Sequence, residues 1–72
     1  MSEDTIVAER YTGIDVHARR LKALMAADPK LEDGLVALVE QGKVHELHGE
    51  IEKALGTRIP DGQTVLNRAY EL

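Results

Sequence analysis

Seventy-two residues, with nine Lys and Arg against thirteen Asp and Glu, carry a formal net charge of −4, and a chain of that length holds one small domain. The absence of cysteine excludes disulfides, iron–sulfur clusters and thiolate zinc sites. Phe and Trp are absent too, so apart from Tyr11 and Tyr70 the interior must be assembled from Leu, Val, Ile, Met and Ala.

Such an interior lacks the large anchors that dominate burial energy. A chain of this size buries only about 60% of its unfolded surface, and it often gains stability by oligomerising or by sitting against a larger partner. No run approaches the ~18 apolar residues of a membrane span, and MSEDTIVAERY lacks the pattern of an ordinary secretory signal. The expectation is a cytoplasmic bacterial or phage protein with no membrane partner. Charge is unevenly placed: residues 31–56 hold six acidic side chains against two basic. That balance argues against nucleic acid as the partner of the middle segment.

Ser2, Glu3 and Asp4 make an acidic, cap-competent start, and a helix is expected over 5–11, although the β-branched Thr5, Ile6 and Val7 also suit a strand. Thr12-Gly13 is expected to end this element. Asp15 then caps a helix over 16–27, with Ala18, Leu21, Leu24 and Met25 as its buried stripe and Arg19, Lys22 and Ala26 facing away. Asp28-Pro29 closes it. Leu31, Leu35, Leu38 and Val39 set the stripe of the next helix, over 31–41, where Gly34 costs about 1 kcal/mol relative to Ala. That cost points to a close helix contact at Gly34 or to a helix that begins near it.

Gly42 is expected to break the chain into two helices rather than leave one long helix over 31–55. Lys43 to Leu55, KVHELHGEIEKAL, has the clearest helical period, with Val44, Leu47, Ile51, Ala54 and Leu55 on one side and Glu46, Glu50 and Lys53 on the other. Gly56 follows, then a turn over 57–62 and a last short helix over 63–72, where Val65 pairs with Ala69 and Leu66 with Tyr70. The expected fold is all-α: residues 1–72 form a single helical domain, a small orthogonal bundle of four to five short helices.

Ile6 to Leu24 resembles a helix-turn-helix: a short helix, Gly13, an apolar Ile14, then a second helix bearing Arg19, Arg20 and Lys22. The resemblance implies a small DNA-binding regulator that uses the 15–27 helix, with those three cations on phosphates. Glu9 and Arg19 stand where the motif usually buries small and apolar residues. Glu46 to Gly62, ELHGEIEKALGTRIPDG, is similar to the stretch of acyl carrier proteins in which an acidic second helix runs into an LG-x-x-IPD loop. That likeness implies docking on enzymes through the acidic helix, but the only serine is Ser2, so the attachment point of a phosphopantetheine arm is missing. The same stretch resembles the end of nitrile-hydratase-like leader domains of modified-peptide precursors, through Asp28-Pro29 and the LG-x-x-x-P-x-G-x-x-V run from Leu55-Gly56 to Val65. The segment between those two features is several residues longer here.

His45 and His48 lie at i,i+3, and Glu52 could complete a three-ligand site. Without an HExxH pattern, His48 reads as a half-buried filler at the edge of the apolar face, and no metal or cofactor is expected. There is no cysteine nucleophile, no glycine-rich phosphate loop and no carboxylate pair separable from a solvated face, so no enzyme is expected. The functional expectation is an interaction or adaptor module that self-associates or docks on a larger protein. Its contact face is read as Leu35, Leu38, Val39, Leu47 and Ile51, rimmed by Glu46 and Glu50.

Overall fold

A computed structural model describes the backbone from Glu3 to Leu72 and the side chains from Gly13 onward. The helices are α1 (Glu3–Ala27), α2 (Pro29–Glu40), α3 (Val44–Leu55) and α4 (Gly62–Glu71), and there is no strand among the described residues. The strand alternative for 5–11 is thereby excluded. The capping role expected of Ser2 lies outside the described residues.

The helix ends follow local chemistry. Asp28 caps α2, its carboxylate accepting from the Lys30 N–H at 3.2 Å, and Pro29 takes the first helical position, where no N–H is needed. α2 closes at Gly42, whose φ of +70° lets its N–H reach the Val39 carbonyl while the Lys43 N–H reaches that of Leu38. The break expected there is present. Gly56, also at φ +70°, ends α3. Asp61 caps α4, accepting from the Gln63 N–H at 3.3 Å and the Thr64 hydroxyl at 2.6 Å. These bonds hold the Asp61 carboxyl below its ordinary range, the Thr64 hydroxyl contributing most.

Two expectations about glycine are corrected. Gly13 does not end a helix: α1 runs through it, so the elements expected over 5–11 and 16–27 are one. Gly34 neither starts a helix nor makes a close contact, since α2 begins five residues earlier and a Cβ at Gly34 would meet nothing within 4 Å. Glycine terminates a helix only where the chain turns into the left-handed region, as Gly42 and Gly56 do.

The four helices share one aliphatic core. Ala18, Leu21 and Met25 come from α1, Leu35 from α2, and Leu47, Ile51 and Leu55 from α3; Ile59 and the α4 residues Val65, Leu66 and Ala69 complete it. α1 packs most extensively on α4, and Arg68 ties the pair by donating to Asp15 at 2.8 Å. That hydrogen bond, more than the accompanying charge attraction, holds the Asp15 carboxyl below its ordinary value. The Arg20 guanidinium donates to the Leu55 carbonyl at 2.9 Å, fastening α1 to the end of α3.

Candidate functional site: an open groove between α2 and α3

α3 has two unlike flanks. On one, His48 and Glu52 hold the following loop: the Gly62 N–H donates to His48 Nδ1 at 3.0 Å, and the Ile59 N–H donates to Glu52 Oε2, also at 3.0 Å. His48 Nε2 lies 3.3 Å from that same carboxylate oxygen. A Cβ on Gly62 would sit 2.6 Å from the His48 Cα, so the loop meets α3 closely enough that only glycine fits. This is the half-buried packing role read for His48. His45 is exposed, and among the described residues no group of three or more His, Asp and Glu is placed to hold a metal ion. His17 is also partly buried, with its Nδ1 enclosed and lacking a partner among the described residues.

The opposite flank of α3 is open. Glu46, Gly49 and Glu50 form one wall of a groove of about 590 Å³ whose other wall and floor come from Lys30, Leu31, Gly34, Leu35 and Leu38 of α2. A second hollow of about 410 Å³ shares Leu31 and Glu50 with it and extends past Lys53 and Ala54 to Leu24 and Ala27 of α1. The trough thus follows the seam between α2 and α3 and ends against α1.

Its shape follows from side-chain size. At 100° per residue, positions 31, 34 and 38 of α2 and 46, 49, 50 and 53 of α3 point to the same side of the hairpin. Gly34 and Gly49 supply no side chain there, and a Cβ on either would meet nothing within 4 Å. Lys43 and Glu46 approach to 3.9 Å at the turn end, both largely exposed; Glu50 forms no ion pair with another described residue.

The residues read as a contact face divide three ways. Leu35, Leu47 and Ile51 are only 1%, 0% and 0% exposed, enclosed by the chain's own helices. They are interior and offer no free surface, because α1 and α4 cover the stripe that periodicity left uncovered. Leu38, Glu46 and Glu50 line the groove. Val39, 39% exposed, lies on the other flank of α2 with Val36 and Glu32, the latter accepting from the Tyr70 hydroxyl at 2.8 Å. Desolvation first, then that bond, pushes the Tyr70 hydroxyl above its ordinary value.

The basic set divides too. Arg19 and Lys22 are solvent-exposed on α1 beside Ala23, Ala26 and Leu72, whereas Arg20 is engaged with Leu55. No turn precedes them, because α1 is continuous, so the helix-turn-helix geometry implied for Ile6 to Leu24 is absent. Sequence reasoning missed the parts played by Gly34 and Gly49. Their signal was present as a helix-interior cost with no capping use, but only the relative placement of α2 and α3 gives it meaning. Comparisons with family models, with curated proteins and with solved structures return no match for this chain.

Proposed function

We propose that this protein is a non-enzymatic interaction module, a small orthogonal helical bundle that seats a cationic amphipathic helix in the α2/α3 groove. The observation that carries the reading is the groove itself, where the half-buried Leu31 and Leu38 lie over the enclosed Leu35, with two bare glycine positions along its walls and Glu46 and Glu50 on its rim. Laying an apolar helix face into such a groove removes water from Leu31 and Leu38. Bare backbone at Gly34 and Gly49 lets the incoming helix approach closely. The rim carboxylates attract and orient its cations.

Titration with a synthetic amphipathic helical peptide, bearing a Leu/Ala face flanked by Lys and Arg, tests this. Saturable binding that Gly49→Leu weakens about tenfold or more, and that Glu46→Gln with Glu50→Gln also weakens, is expected. Binding unaffected by Gly49→Leu would overturn the reading. Affinity for duplex DNA that falls steeply with salt and is lost on Arg19→Glu would favour the regulator instead.

A further inference from the structure

The exposed side of α1 carries what the groove lacks. Val16, Arg19, Ala23 and Ala26 recur at helical spacing and form one solvent-facing stripe, with Lys22 on its edge. Val16 is 46% exposed, and neither Arg19 nor Lys22 forms an ion pair with another described residue. The stripe is small at Ala23 and Ala26, with Arg19 set among its apolar residues and Lys22 at its edge.

From this, resting on the docking reading above, we infer that the occupant of the α2/α3 groove is the outer face of α1 from a second copy of the same chain. Three features fit. The stripe from Val16 to Ala26 runs about 15 Å and the twelve-residue α2 that walls the groove about 18 Å, at 1.5 Å per residue. The alanines match the glycines, so two helix backbones meet closely where Ala23 and Ala26 face Gly34 and Gly49. Charges match on the α3 wall, where Arg19 and Lys22 reach Glu46 near the turn end of the hairpin and Glu50 one turn further along the helix, Lys30 being the cation of the opposite wall.

The two surfaces lie on different parts of one chain, so the contact is head-to-tail. Each copy offers a groove to one neighbour and a helix face to another, and growth continues until a ring closes or the concentration limits it. This predicts a behaviour that a symmetric dimer lacks. A copy with a disabled groove still donates its helix, and a copy with a disabled helix face still accepts one.

Sedimentation equilibrium tests the inference with the unmodified chain, with Gly49→Leu, and with the pair Arg19→Glu and Lys22→Glu. All these substitutions fall on exposed positions, and circular dichroism checks that each variant retains its helices. The expected result is a mass that rises with concentration for the unmodified chain and stays monomeric for each variant. A one-to-one mixture of the two variants should form dimers and stop there. Variants that still associate, or a mixture that stays monomeric, would overturn the head-to-tail contact. An unmodified chain that remains monomeric at millimolar concentration, while the cationic peptide still binds and Gly49→Leu still abolishes that binding, would overturn the self-association and leave the docking reading standing. Failure of the peptide as well would remove both.

Discussion

Of the six glycines in this chain, three are required by the backbone. Gly42 and Gly56 turn the backbone into the left-handed region. Gly62 admits the close approach of His48, and Gly62→Ala should cost about 1–3 kcal/mol, since the helix backbone, not a flexible side chain, stands in the way. Urea unfolding measures that cost, and an unchanged midpoint would refute the contact. Gly34 and Gly49 do neither, so Gly34→Ala and Gly49→Ala should each stabilise the fold by about 0.5–1 kcal/mol in the same assay. The helix stops at Asp28-Pro29 and Gly56 were legible because their chemistry is local, although Asp15, read as a cap, lies inside α1. The Gly62 contact was not, because its two partners are 14 residues apart and no periodicity links them.

Among the elements, α3 and the hairpin break at Gly42 were readable from the recurrence of Val44, Leu47, Ile51 and Leu55 and from the punctuation on either side. α1 was not. Thr12-Gly13 has the composition of a helix stop, and only the backbone course reveals that the helix passes through it. Gly13→Ala discriminates: in a continuous helix it should raise stability by about 0.5–1 kcal/mol, whereas at a left-handed terminus it would lower it. The α1–α4 tie gives a pH signature. Asp15 has its folded-state value depressed by Arg68, so the contribution of this pair is fully present above about pH 4 and is lost as the pH falls through the folded value. Asp61 at the start of α4 acts in the same direction. Asp15→Asn should lower the melting temperature modestly at pH 7 and flatten its decline below about pH 4; a parallel pair of pH curves would contradict the tie.

At the scale of the molecule, an amphipathic stripe announces that it will be covered but not by what. Leu35, Leu47 and Ile51 read as a contact face because α4, which helps to cover them, is short and lies beyond the turn at 57–61. Their enclosure predicts that Leu47→Ala costs about 2–5 kcal/mol, seen as a loss of cooperative unfolding at lower urea concentration. What remains for a partner is the trough they support, bounded by Leu31, Leu38, Glu46 and Glu50. The claim that this trough is the docking site is tested most directly by the amide resonances of Gly34 and Gly49 in ¹⁵N-labelled protein, which fall in the glycine region of the spectrum. On titration with the cationic amphipathic peptide, those two resonances and those of Glu46 and Glu50 should shift while Gly13 and Gly62 stay in place. Shifts confined to α1 or α4, with Gly34 and Gly49 unmoved at saturation, would contradict it.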